Sequence, residues 1–210
     1  MAPSVHNQVL AKVRKKRPGS LFFPGDFIQE GSDTAVRKAL SRLAKDGVLN
    51  RLAHGIYFYP KFDKELGILY PSAEEVAHAI AKKEHIRIVP TGSYALHRLG
   101  LSTQVPTRIV YLTDGEAKSL KLGRTSIVFK PAVPKKLSAK GKLSSLAIQA
   151  LGELKKEKIT PQVLNKIQEV LKNEDPATLR SDALSAPAWI GRILLSLIDK
   201  SRTHDSVVKS

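Results

Sequence analysis

The chain has 210 residues, no cysteine, 42% hydrophobic residues and a formal net charge of +16. That length holds one large domain or two modest ones with a proper core, and the missing cysteine excludes a disulfide framework and any Cys-based zinc site. No apolar run reaches the roughly eighteen residues of a membrane span and no signal-peptide core follows Met1, so the expectation is a cytoplasmic protein with no membrane partner.

Val5 to Arg17 reads as a helix with Val9, Leu10 and Val13 apolar and a basic end at Lys12, Arg14, Lys15, Lys16 and Arg17. Pro18-Gly19 breaks it. Phe22 to Phe27 supplies a strand residue or two and a short second helix. Ser32 is a good N-cap, and Asp33 suits the positive end of the following helix. Val36, Leu40 and Leu43 then repeat at i, i+4, i+7 and make a narrow apolar stripe.

Thr34, Lys38, Ser41 and Lys45 fall almost opposite that stripe, with Arg37 and Arg42 on its shoulders. A solvated helix usually mixes charge signs to gain i, i+4 pairs; no acidic residue stands between Thr34 and Lys45, so this helix is expected to lack them. Asp46-Gly47 ends the helix in a glycine C-cap. Val48–Leu52 and Gly55–Tyr59 are β-prone runs joined through Ala53-His54-Gly55 as a hairpin tip. Helix, turn and hairpin in that order make a winged helix-turn-helix, in which one helix enters the major groove and the hairpin touches the flanking backbone. The expected DNA-binding residues are Ser32, Thr34, Arg37, Lys38, Ser41, Arg42 and Lys45 on the helix, with Arg51 and His54 on the wing. Arg forks onto guanine, Ser and Thr meet bases or phosphate, and Lys neutralises phosphate. The plainer readings are a winged helix used only for protein contacts, or an amphipathic helix beside a hairpin.

After Pro60, KFDKELGILYPSAEE reads as a linker with a short extended element. Ser72 begins a helix with Glu74 and Glu75 in its first turn, ending near Lys82-Lys83. His85 to Pro90 alternates as a half-buried strand. A capped helix runs from Thr91 to about Leu99, strands follow over Thr107–Thr113 and Gly123–Lys130, and Pro134 to Lys140 is a flexible basic linker. From Lys142 the chain is helical. Thr160-Pro161 and Asp175-Pro176 each mark a helix start, because proline at the first position loses nothing by lacking an N–H. The last helix, Ala188 to Asp199, has a wide apolar side that packs on its neighbours or, around Trp189, forms a dimer or partner surface.

The overall expectation is an α+β protein: a winged helix-turn-helix over residues 1–62, a small mixed α/β domain over 63–134, and a basic linker with a helical segment over 135–210. Net charge is +6 for residues 1–60, +4 for 61–134 and +6 for 135–210. Such an even excess suits a polyanionic partner, or serves only solubility. The absence of an RNP-type aromatic strand or GXXG loop makes RNA the less attractive polyanion.

AVRKALSRLAKDGVLNRLAHGIYFYP followed by PTGSYALHRLGLSTQVPTRIVYLTDG resembles the AbiEi-like antitoxin and transcriptional-regulator family of bacterial type IV toxin–antitoxin systems. The match runs roughly from Val5 to Lys130, and Gly92 to Pro106 is its most specific part. The resemblance implies a repressor of its own operon that binds inverted repeats in double-stranded DNA, beside a gene for a nucleotidyltransferase-like toxin. It also implies that antitoxic activity resides after the winged helix. The other function class is a non-enzymatic antitoxin acting by direct contact with a toxin or its substrate, with a homodimer as a further expected partner.

Enzymatic motifs are absent from the sequence. Gly92-Ser93 echoes the nucleotidyltransferase turn, but two-metal chemistry needs paired carboxylates, and the next acidic residues are Asp114 and Glu116. Thr91-Gly92-Ser93 is read instead as a helix start capped by Thr91 or Ser93. The six histidines show no metal-ligand spacing. The expectation is a non-enzyme without cofactor or metal, and without catalytic residues.

Overall fold

The computed structural model describes residues 3–207, with side chains described as far as Asp199. Helices begin where the chain supplies an acceptor for the free N–H groups of a first turn. Ser4 caps α1 (Val5–Arg14), Ser32 caps α2 (Asp33–Lys45), Thr160 caps α6 (Pro161–Leu171) and Asp175 caps α7 (Pro176–Ser185). Ahead of α3 (Ala73–Glu84), Ser72 Oγ accepts from the Glu75 N–H while the Glu75 carboxylate accepts from the Ser72 N–H, a reciprocal cap.

The chain divides into two compact units, Met1–Ile80 with Leu120–Arg124, and Ala81–Ser119 with Thr125–Ser210. In the first, strands β1 (Leu21–Phe22), β2 (Asn50–Ala53) and β3 (Ile56–Phe58) form an antiparallel sheet in the order β1-β3-β2. Its core joins Val9 and Val13 of α1, Phe22, Phe27, the inner face of α2, Leu49 and Tyr57. The second unit holds β6 (Ile88–Thr91), α4 (Ser93–Arg98), β7 (Arg108–Thr113) and β9 (Thr125–Pro131); β8 (Lys118–Leu122) runs out of it into the segment Leu120–Arg124 of the first, and the strand order is β6-β7-β9-β8. There β6 runs antiparallel and β9 parallel to β7. On this sheet the buried Tyr111 ring stacks on Phe129 and meets Tyr94 edge-on, with ring centroids 5.9 Å apart in each pair. Helices α5 (Lys142–Leu154), α6, α7 and α8 (Ala188–Val207) share one apolar core with Ala95 of α4 and Leu99 at its C-cap. The molecule is thus a mixed α+β protein of eight α-helices and three small sheets among the described residues. No described helix is long and apolar enough to cross a membrane.

Several sequence expectations need correction. Helix α1 stops at Arg14 rather than Arg17, since the residue before Pro18 is disfavoured in the α region. His85 is not in a strand: it closes α3 with φ 55°, its N–H donating to Lys82 and that of Ile86 to Ala81, so β6 starts only at Ile88. Neither Thr91 nor Ser93 caps α4. Gly92 occupies the cap position with no side-chain bond, and the Thr91 hydroxyl donates to Gln149 at 3.1 Å. The linker after Pro60 contains a hairpin of β4 (Phe62–Asp63) and β5 (Gly67–Ile68), and β8 has no counterpart among the expected strands.

The basic stretch after Val133 is not a free linker either. Pro134–Leu137 is a 3-10 turn with Leu137 buried, its carbonyl accepting from the Arg87 guanidinium at 3.0 Å. The final helix continues beyond Asp199 to Val207. Trp189 is half-buried against the helical core, with Lys156 Nζ 5.9 Å from its ring centroid, so it does not head an exposed cluster.

Helix α5 has no side-chain cap of its own, and two distant carboxylates do that work. Asp182, 2% exposed, accepts from the N–H groups of Lys140 and Gly141 at 2.8 Å each and from the Ser144 hydroxyl. Glu174 accepts from the N–H groups of Leu143 and Ser144 at 2.7 and 3.1 Å. Negative charge belongs at a helix N-terminus, and here it also ties α5 to α7. Replacing Asp182 by Ala leaves three donors without their acceptor, two of them in the interior, so we expect a loss of about 3 kcal/mol. Urea unfolding followed by the fluorescence of Trp189, the single tryptophan, reads it directly.

The cap of α7 gives a pH prediction. Thr178 donates its hydroxyl and its N–H to the Asp175 carboxylate at 2.7 and 2.8 Å, holding that carboxyl below its ordinary value. A depressed carboxylate stabilises the fold above the unfolded value of about 3.9 and loses that contribution as pH falls through the folded one. Carboxyl-carbon NMR titration is expected to place Asp175 below an unstructured aspartate, and Thr178→Val to move it back up.

Candidate nucleic-acid interface

Helix α2 buries Val36, Ala39, Leu40 and Leu43, each at 4% exposure or less. The opposite side leaves Thr34, Arg37, Lys38, Arg42 and Lys45 exposed and Ser41 half-buried. Ser32 Oγ accepts from the Ala35 N–H at 3.3 Å, so its side chain is engaged in capping. The expected absence of i, i+4 pairing is overturned: Arg37 Nε donates to Asp33 at 2.7 Å, across one turn. That hydrogen bond, with the adjacent negative charge, raises the guanidinium pKa above its usual value.

At its C-terminal end α2 closes on Gly47, with φ 74°, while the N–H groups of Val48 and Leu49 both donate to the Leu43 carbonyl, at 3.0 and 3.1 Å. This turn delivers the chain into β2. Pairing with β3 runs Asn50↔Phe58 and Arg51↔Tyr57, then shifts to Ala53↔Ile56, so Leu52 lies in a bulge. Bulges bend a strand and re-aim side chains. Here the Arg51 guanidinium lies 3.1 Å from His54 Nδ1, and Arg51 Nε donates to the Ala53 carbonyl at 3.4 Å. The two wing residues read from the sequence are therefore one exposed pair.

Residues 8–179 match DUF6088, a family of unknown function. The chain belongs to this family. No curated protein matches the DUF6088 chain. A solved structure, that of the RV2827C protein from Mycobacterium tuberculosis, is similar at 15% identity with a TM-score of 0.42, covering 94% of this chain and 82% of that one.

Three features of the first unit escape the sequence reading. Lys12, one of the cations in the basic end of α1, donates to the Asp26 carbonyl at 2.7 Å and to Glu30 at 2.9 Å, and lies 5.4 Å from the centre of the Phe27 ring. It fastens α1 to the turn that leads into α2. Asp33 is more than a favourable first-turn charge, and its i, i+4 spacing from Arg37 is the signal that could have shown it. The bulge at Leu52 leaves no signal that pattern reading uses.

The turn at Gly47 is testable. A Cβ there would meet nothing within 4 Å, so only the left-handed backbone penalises a side chain. Gly47→Ala is expected to cost about 1 kcal/mol, and Gly47→Asn less. Faster hydrogen exchange at Val48 and Leu49, without change in the second unit, is the expected readout.

Proposed function

We propose that this protein is a sequence-specific double-stranded-DNA-binding transcriptional regulator, with α2 as the recognition helix and the β2–β3 hairpin as the wing of a winged helix-turn-helix. The observation that carries the reading is the exposed row Thr34, Arg37, Lys38, Arg42 and Lys45 on the back of a buried stripe, followed directly by the Arg51–His54 hairpin tip. Arg37 and Arg42 read base edges in the major groove. Lys38, Lys45 and the wing pair contact phosphate, with Thr34 and Ser41 as shorter polar contacts. No catalytic step is assigned. The sequence resemblance to AbiEi-like antitoxins extends the proposal: the operator is an inverted repeat upstream of the protein's own gene, and the operon includes a nucleotidyltransferase-like toxin whose action this chain opposes.

The test is fluorescence anisotropy on the DNA upstream of its own gene against scrambled DNA of equal length, over a range of salt. We expect a preference for the upstream DNA that survives added salt. Arg37→Ala with Arg42→Ala should weaken that preference roughly tenfold to a hundredfold for each base edge no longer read, with circular dichroism unchanged. Lys45→Ala should weaken both DNAs alike and reduce the log–log salt slope by about 0.9. Equal binding to both sequences, vanishing with salt, would sink the regulator reading and leave the antitoxin role resting on protein contact.

A further inference from the structure

The β4–β5 hairpin carries more exposed apolar surface than its size explains. Phe62, Leu66 and Tyr70 are 71%, 76% and 63% exposed, on a sheet of only two strands. An isolated two-stranded hairpin is marginal in water and leaves an unpaired edge on each strand. This one is nonetheless held firmly. Asp63 Oδ1 accepts from the N–H groups of Glu65 and Leu66 at 2.9 and 3.0 Å, closing the tip, and the Leu69 N–H donates to the Lys61 carbonyl at 2.8 Å. Tyr70 anchors its base: the ring lies 5.6 Å from that of Phe58 in β3, and its hydroxyl accepts from Asn50 at 3.4 Å. A stiffened apolar projection of this kind is built to be covered.

Charge selects the occupant. Two copies of a +16 chain repel one another, so they meet only where the surface is locally neutral. Residues 61–70 hold two cations, Lys61 and Lys64, and two anions, Asp63 and Glu65, giving a net charge of zero. A hairpin meant for DNA phosphate would be cationic, and one meant for an acidic protein would be cationic as well. Read in reverse, the order Lys61, Asp63, Lys64, Glu65 meets opposite signs in turn, and an inverted copy meets no block of a single sign. We infer that the hairpin spanning residues 61–70 is a homodimerisation arm that docks on the same hairpin of a second copy of this chain.

Three side chains, each covering roughly 200 Å² and about two-thirds exposed, offer on the order of 400 Å² per copy, against about 800 Å² per partner in a standard interface. The free dimer is therefore a weak one, dissociating in the micromolar range or above. Its purpose rests on the DNA-regulator reading, in which two-fold pairing presents two α2 helices to an inverted repeat. Its existence does not, because self-association is measured without DNA.

Sedimentation equilibrium of the full chain over a concentration series is the test. The weight-average mass should rise from one chain towards two. Phe62→Ser with Leu66→Ser should raise the dimer dissociation constant at least tenfold while leaving circular dichroism unchanged, since both side chains face solvent. Glu65→Lys, which makes the hairpin net positive, should weaken pairing, and the neutral swap Lys61→Glu with Glu65→Lys should restore it. A chain that remains monomeric to millimolar concentration, or a dimer indifferent to Phe62 and Leu66, would overturn the inference.

Discussion

Burial of Val36, Ala39, Leu40 and Leu43 in the core of the first unit dictates what the rest of α2 presents. A helix with four inward positions in two turns has a fixed rotation about its own axis, because turning it by one residue (about 100°) would put Arg37 or Lys38 into the apolar core. Everything assigned to the outer face follows from that orientation. The turn at Gly47 matters for the same reason: it fixes where the chain leaves α2, and so where β2, Arg51 and His54 begin. Lys12 acts at the other end, tying α1 to the segment before Ser32.

The second unit solves a different problem with buried charge. Its core is largely helical, and the first turn of α5 has donors that must be satisfied. Carboxylates from Asp182 and Glu174 satisfy them across 30 to 42 residues of sequence. A local side-chain cap at position 141 is shut out, because a Cβ there would run into Ser144 Oγ and the Glu174 carboxylate. The long-range arrangement makes one end of α5 dependent on α7 being in place, which couples the helices more tightly than apolar packing alone.

What the sequence discloses, and what it hides, divides along the same line. Local grammar is readable: Ser32, Ser72, Thr160-Pro161 and Asp175-Pro176 mark helix starts, Gly47 a helix end, and the Val36–Leu40–Leu43 stripe an inner face. Features that depend on distant partners are not. Nothing within a few residues of Gly141 announces Asp182, and Pro134–Lys140 looks like a linker until Leu137 and Arg87 are seen together. His85 adopts a left-handed conformation usually left to glycine or asparagine, so its alternating neighbours pass for the start of a strand. On the candidate interface, side-chain identity and exposure are legible, the Asp33–Arg37 pair is signalled by its i, i+4 spacing, and the Leu52 bulge emerges only from geometry.

The Asp33–Arg37 pair bears on how the proposed recognition helix discriminates. A charge of +16 spread along the chain supplies attraction to any nucleic acid and therefore no sequence preference. Preference must arise from side chains that favour a base edge over the phosphates crowding every groove. An arginine beside a carboxylate is poorly suited to phosphate, since the anion would be brought close to Asp33 and repelled by it. The same arginine keeps donors on its guanidinium for neutral acceptors such as guanine O6 and N7, and Asp33 holds Nε to restrict its swing. On the proposed reading, the acidic residue at the start of α2 is thus what turns one of its cations from a phosphate anchor into a base reader. Lys38 and Lys45, as point charges on flexible stems, retain the positioning role.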